Sequence, residues 1–460
     1  MSFGSAIFLF GFLPLTAALY RLLPWRWARR VLVTGASLFF YACGRLWDLP
    51  VLLLSALLHY AAGRLLLRTQ SRRAVVAAVV VLDLGLLAAC KYLDFFCAAA
   101  GLPVGPLNLP LPLGVSFFTF QGISYVVDGS RDRSQLSRTF FPVLQYLCFF
   151  PNLVSGPLAR FQAVRPQLEA AVRPDWETAA LALRRFTLGL GKKLLLAGTL
   201  APAVDAVFAL DGASLDLRTA WLGAVAYALQ LYFDFSGYSD MALGLGCLFG
   251  VTLPENFRYP YRARSITDFW RRWHISLSQW FRDYLYIPLG GSRRGKARAV
   301  VNKLAVFLAT GLWHGANWTF VLWGAWHGLF AALETATPLG RIGKRRFGHV
   351  YALLVVLVGF TMFRADTVAV GLAMISNLFT GFAFTPASTL ALAHCLTARV
   401  WTALLLGALG ALGFGSWLWR KISARRGALA CSLGLTLVLL VLCVLALASG
   451  SFQPFIYQQF

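Results

Sequence analysis

The amino-acid sequence predicts an all-α, polytopic integral membrane protein, with about 11–13 spanning or re-entrant helices and interfacial amphipathic helices. Three observations predict it. Of 460 residues, 58% are hydrophobic and only 13% are charged, and the mean hydropathy is +0.67, far outside the range of soluble chains. Several stretches, such as 74–89 continuing past Lys91 to residue 100, and 427–451, run for about 18 residues or more with almost no charge, enough to cross roughly 30 Å of hydrocarbon. The basic residues gather in short clusters between these runs, as loops at an anionic cytoplasmic leaflet do.

Counting Lys and Arg puts the loops at 21–30, 64–73, 131–138, 160–185, 258–298, 341–346 and 420–426 on the cytoplasmic face. The neutral or acidic stretches at 101–110, 211–216 and around 385–397 then face outward, with the N-terminus outside. The first apolar run follows Met1 with no basic n-region and no small-residue cleavage site before Tyr20 and Trp25, so it reads as a retained span. Spans are expected at 3–20, 31–47, 50–67, 74–97, 110–127, 186–208, 218–250, 300–333, 348–364, 398–419 and 426–450. The whole chain, 1–460, reads as one membrane domain, with core motifs at 112–334, peripheral spans in 1–100 and 348–450, and no soluble domain before or after.

Three stretches depart from a simple crossing. Residues 300–333 begin beside one basic cluster and end just before another, so they must cross an even number of times. A pair of short helices or a re-entrant hairpin satisfies this, with its turn near 311–317 and His314 at the apex. Residues 140–159 contain FFPNLVSGPLA, broken by proline, glycine and asparagine between two basic loops, and read as re-entrant. Residues 252–299 interleave aromatic rings with cations, the composition of helices lying at headgroup depth; Ser265 or Thr267 would cap the helix that starts there, with Asp268 in its first turn.

The formal net charge of +24 raises nucleic acid as a partner. No basic stretch is long enough to fold alone, so nucleic acid is excluded and membrane lipids are the expected surroundings. Eight cysteines lie mostly inside apolar runs with no CxxC and no Cys/His spacing suited to zinc, and read as small buried hydrophobes. No P-loop, GxGxxG or GxSxG appears in a strand-turn-helix context, which disfavours an ATP-driven pump or a soluble-type hydrolase.

Of six histidines, His59 and His394 have no polar neighbourhood in sequence and His349 flanks a basic loop; all three read as ordinary residues. His314 is different, because polar side chains in an apolar span usually face a cavity or a pathway. A neutral imidazole there can accept a hydroxyl proton, which makes it the leading general-base candidate. His327, thirteen residues on, can meet it only if the hairpin folds back. His274 lies among Arg271, Arg272 and Arg282; the arginines suit a phosphate-rich ligand on the cytoplasmic side or a positive-inside anchor, and His274 a headgroup-level position or a site. Asp234 and Asp240 stand in an apolar run, where they orient a histidine, bind a cation, line a path or pair with an arginine. No ligand-type residue falls at helical spacing around His314, so no metal is expected. Two classes remain: an intramembrane transferase using His314, or a transporter of lipid-linked sugars gated by the polar residues.

Six blocks decide between them: PLGVSFFTFQGISYVVD from Pro112, FFPNLVSGPLARF from Phe149, LYFDFSGYSDMALGLG from Leu231, LPENFRYPYRARSITDFWRRWHISLSQWFRDYLYIPLGGSR from Leu253, GLWHGANWTFVLWGAWHGLF from Gly311 and the terminal PFIYQQF. In these the chain resembles the membrane-bound O-acyltransferase family, and within it the alginate O-acetyltransferase membrane subunits of bacteria. The related D-alanyl transfer subunits of teichoic acid modification share the WHG and WHISLS-type blocks, but the second histidine, His327, and the tail favour the alginate-type branch.

The resemblance implies a helical fold around a central funnel in the bacterial cytoplasmic membrane, with His314 as the essential catalytic histidine at its floor. It implies a second hallmark position at His274, near the donor route. Arg271, Arg272, Trp313, Asn317, Asp234, Asp240 and His327 are the candidate substrate-binding residues around them. It further implies no tightly bound cofactor, acetyl-CoA or another acyl thioester as donor, and an extracytoplasmic acyl-accepting partner, secreted or anchored and hydrolase-like, that completes transfer to a polysaccharide.

Overall fold

The structure, a computed structural model, describes residues 1–101, 109–212, 214–422, 428–450 and 455–456. Most of the neutral loop at 101–110, most of the basic loop at 420–426, and the PFIYQQF tail apart from Phe455 and Ile456 lie outside the described residues. Among the described residues every regular element is a helix. Arg26–Ala42, Leu49–Arg68, Val115–Arg131, Leu217–Leu248 and Gly348–Arg364 fall on the expected runs at 31–47, 50–67, 110–127, 218–250 and 348–364. By length and composition alone, Leu46–Arg68, Arg72–Ala99 and Cys431–Ala448 can cross a bilayer, and Pro386–Cys395 with Ala398–Ala411 would make one crossing bent by 69°.

Two stretches expected to be loops are wound instead. Residues 160–185 form Phe161–Ala170 and the start of Trp176–Gly191, and the neutral stretch near 385–397 forms Pro386–Cys395, opened by a capping box between Thr385 and Ser388. Loop-charge counting locates cations and says nothing of whether the backbone between them is helical. Val368–Thr380 also has no counterpart among the expected spans, being only 13 residues long. The eight cysteines are free; Cys148, Cys395 and Cys443 are buried but Cys43 and Cys431 are exposed, so only part of the set behaves as core residues.

The chain divides into two compact units, Met1–Gly189 with Tyr238–Glu255, and Leu190–Gly237 with Asn256–Ile456. In the first, helix Phe140–Cys148 stops at Phe149 and resumes as the single turn Phe150–Leu153, and residues 142–159 are all buried. Protein therefore surrounds this irregular backbone, the condition under which it is tolerated at membrane depth. His59 departs from its ordinary expectation: it is fully buried, with Nε2 2.9 Å from Asp83 Oδ2 and Nδ1 2.7 Å from the Ser55 carbonyl oxygen. The turn between Leu49–Arg68 and Arg72–Leu87 brings Asp83 back across 24 residues, and Gly122 leaves no room for a side chain against the ring.

The second unit is organised by a helical hairpin, Lys296–His314 and Trp318–Ala336. Gly315 ends the first helix in an extended conformation, and the Phe320 ring packs into the space a Cβ there would need. Asn317 starts the second, accepting from Thr319 N–H at 3.1 Å while its Nδ2 donates to the Asp366 carbonyl at 3.0 Å. The two backbones touch: a Cβ on Gly324 would stand 2.5 Å from the Phe307 carbonyl oxygen and 3.2 Å from Gly311 Cα. At the open end Lys303 Nζ donates to Thr335 Oγ1 at 2.6 Å and to the Ala331 carbonyl at 3.2 Å.

A buried glutamate fastens the aromatic segment to this hairpin. Ser265 caps the short helix Ile266–Trp270, as anticipated, accepting from Asp268 N–H at 3.0 Å. The other donors at that helix start go to Glu334, whose Oε1 accepts from Ile266 N–H at 2.6 Å and whose Oε2 accepts from Thr267 N–H at 2.9 Å and Thr267 Oγ1 at 2.6 Å. Tyr351 donates to Oε1 at 3.2 Å.

Adding a methyl group at the hairpin contact, Gly324→Ala, is expected to force the helices apart and lower stability by about 1–3 kcal/mol, read as a fall in melting temperature of the detergent-purified protein. An unchanged melt would refute the backbone contact. Glu334→Ala strands the buried Ile266 N–H and the part-buried Thr267 N–H and should cost about 3 kcal/mol, with Glu334→Gln, which keeps one accepting oxygen, falling between it and the parent in the same melts. Equal melting of all three would show that the carboxylate anchors nothing.

Candidate active site

His314 is the last residue of the first hairpin helix, so its ring projects where the helix stops and Gly315 turns the chain away. It is 4% exposed and enclosed by rings: Trp313 at 4.9 Å between centroids, Trp323 at 4.9 Å and perpendicular, and Phe363 at 5.1 Å. The hairpin turn expected near 311–317 is the break between the two helices. Its fold-back also settles the position of His327, which lies one turn beyond Trp323 and contacts that indole at 5.2 Å. Trp323 thus stands between the two imidazoles. His327 is fully buried, with Trp270 at 5.3 Å and Phe269 at 6.3 Å, and neither ring nitrogen has a hydrogen-bond partner among the described residues.

His274 reaches the same cluster from the segment that composition assigned to headgroup depth. The helix Ile266–Trp270 ends and a second, Ile275–Phe281, begins, with His274 between them at φ 44° and ψ 54°, the left-handed region. That kink divides the WRRWHIS block. Arg271 is exposed and Arg272 half-exposed, while Trp273 and His274 are buried at 2% and 1%. His274 is thus enclosed by protein, and the left-handed residue that breaks the segment between the two short helices is something periodicity alone does not reveal. Its ring meets Phe235 edge-on at 4.7 Å and Trp313 at 6.2 Å. The order His274, Trp313, His314, Trp323, His327 is an unbroken sequence of alternating imidazole and indole contacts.

The two aspartates are held in ion pairs. Asp234 Oδ1 lies 2.5 Å from Lys193 Nζ, both side chains being about 6% exposed, and Oδ2 accepts from Ile456 N–H at 2.9 Å. This brings the neighbouring Phe455 to 5.9 Å from Phe235, the ring that also meets His274. Asp240, in the first unit, pairs with Arg185 at 2.9 Å, and the same guanidinium binds Glu255 through two contacts of 2.7 Å. For Asp234 and Lys193 burial forces the pairing, because an uncompensated buried charge is far costlier than a paired one; the Arg185 cluster is partly exposed. Arg272 is paired with Asp268 at 2.8 Å, and Asn317 uses both ends of its carboxamide in the hairpin turn.

Within the second unit the structure brings together His274, Trp313, His314 and His327; Asp240 belongs to the first unit, paired with Arg185. Sequence reasoning did not single out Trp323, Phe363, Lys193 or Glu334. The signal for Trp323 was available, since WHG and WHGL frame it within one hairpin; Lys193 and Glu334 act across 41 and 67–68 residues and left none. Chemically, buried imidazoles at the end of a helix, walled by indole and phenyl rings, suit proton transfer away from bulk water.

Comparison with known proteins gives the family. The membrane-bound O-acyltransferase family matches residues 114–374. A protein named probable alginate O-acetylase from Azotobacter vinelandii is 41% identical over 82% of this chain and 78% of its own length. One of the same name from Pseudomonas putida is 36% identical over 100% of both chains. A peptidoglycan O-acetyltransferase of Helicobacter pylori is 37% identical over 73% of this chain and 70% of its own. The transporter alternative falls with these matches. The chain belongs to the membrane-bound O-acyltransferase family, and is a multi-pass membrane enzyme of the O-acyltransferase class.

Proposed function

We propose that this enzyme transfers an acetyl group from a cytoplasmic thioester, acetyl-CoA, to a hydroxyl on the outer side of the bacterial cytoplasmic membrane, for O-acetylation of a cell-surface polysaccharide. The observation that carries the reading is His314: a buried imidazole at the end of a hairpin helix, sharing the Trp313 ring with a second buried imidazole, His274. The choice of acetyl follows the relatives matched over most of the chain, which are named for O-acetyl transfer.

In this reading the acceptor O–H gives its proton to the His314 imidazole as its oxygen attacks the thioester carbonyl. The C–S bond of the resulting tetrahedral adduct breaks, the ester forms, and the imidazolium returns the proton to the departing CoA thiolate. His274 lies toward the donor, and the exposed Arg271 with the outer face of Arg272 receives the phosphates of CoA on the cytoplasmic side. Trp313 orients the thioester between the two histidines, and His327 supports the far side of Trp323. Asp234 keeps the tail residues beside Phe235, and Asp240 holds its arginine; both contribute to the substrate path through these anchors. The acceptor is a hydroxyl of an extracytoplasmic, hydrolase-like protein that completes the transfer to the polymer. No bound cofactor takes part.

In cells lacking the gene, expression of His314→Ala is expected to leave alkali-labile acetate on envelope polymers at least about 100-fold below the level restored by the parent, with equal amounts of folded protein in the membrane. Full acetylation by that variant would overturn the role of His314. Release of D-alanine in place of acetate from cells expressing the parent would overturn the acyl assignment and leave the base untouched.

A further inference from the structure

We propose that Asn256 is a positioning residue for acyl transfer, holding the His274 imidazole in the tautomer that carries its proton on Nδ1. The inference rests on the reading of His274 as part of the transfer site. It starts from the backbone. His274 occupies the left-handed region, which a residue with a Cβ adopts infrequently and at some cost in energy. It also precedes the helix Ile275–Phe281 without capping it through its own side chain.

Asn256 supplies both missing functions. Its backbone carbonyl accepts from Ile275 N–H at 3.0 Å, and its side-chain Oδ1 accepts from Ser276 N–H at 3.1 Å and Ser276 Oγ at 2.8 Å. A second backbone contact, Arg258 N–H to the Arg272 carbonyl at 3.0 Å, runs alongside. The turn that carries His274 is thereby stapled to the irregular segment around Asn256.

The same Oδ1 lies 3.3 Å from His274 Nδ1. The orientation of the carboxamide is fixed by chemistry, since a backbone N–H is an obligate donor and the atom it meets must be the oxygen. An amide oxygen only accepts, so Nδ1 is the protonated nitrogen and Nε2 is left as the accepting one in the neutral ring. The Asn256 amide nitrogen has no hydrogen-bond partner among the described residues, so all of the side chain's work is done through oxygen. Phe235 and Trp313 also contact the ring, at 4.7 and 6.2 Å between centroids.

The test reads the tautomer directly. The parent is labelled with ¹⁵N-histidine and reconstituted in lipid, and its His274 signal is assigned by its loss in His274→Gln. That signal is expected to show the proton on Nδ1. Asn256→Ala should lose this preference and lower polymer acetate by about 10-fold to 100-fold at equal folded protein. Asn256→Asp, which keeps every accepting oxygen, should recover most of the acetate. A parent His274 protonated on Nε2, or normal acetate in Asn256→Ala, would overturn the proposal; the first needs no variant of Asn256 to fold. Normal acetate in His274→Ala has a different meaning, because it removes His274 from the reaction whatever tautomer it holds, and with it any part for Asn256.

Discussion

Two helix backbones touch at Gly311 and Gly324, and the geometry around His314 depends on that contact. Apolar side chains give helices no reason to associate in a medium that is itself apolar, so close approach through small residues, with the dispersion it allows, supplies the attraction. Here the glycines bring the hairpin arms near enough for the Trp323 ring of one to lie against His314 at the end of the other. Gly315 and Asn317 then set where the first helix stops and the second begins. A hairpin held apart by larger residues would separate these rings.

Charge is used in the second unit to fasten segments and is kept to the edge of the ring cluster. Lys193 neutralises Asp234, which binds a tail backbone group with its other oxygen. Glu334 spends its lone pairs on the start of the helix that leads to His274. In a low dielectric such groups are strongly directional, and breaking one pair exposes the full desolvation penalty of the survivor. They are therefore good anchors. The imidazoles enclosed by rings do the opposite work, since a neutral ring costs far less to bury than an unpaired charge and can still exchange a proton.

The hairpin and its apex were legible because two independent signals agree at 300–333: the parity of the basic clusters at its ends, and a glycine and asparagine beside the tryptophan-histidine pair. The long apolar runs likewise mapped onto helices, since crossing length is a one-dimensional property. What stayed hidden depends on packing in three dimensions. His59 and Asp83 meet only because two helices fold against each other, and no periodicity along one helix encodes a partner on the next. WRRWHIS reads as cationic, and its division into outward arginines and an inward histidine follows from one residue at positive φ. Asn256 serves groups 18 and 20 residues away, and in sequence it is merely an asparagine before a phenylalanine.

The alternating imidazole and indole rings have a consequence for how variants of this enzyme combine. Trp313 touches both His274 and His314, and Trp323 touches both His314 and His327, so no histidine in the row can be changed without altering the walls of its neighbour. Effects of substitutions along the row will not multiply as they do for distant sites. The five positions thus form one mechanically coupled unit, in which the room available to a replacement at one depends on which rings occupy the others.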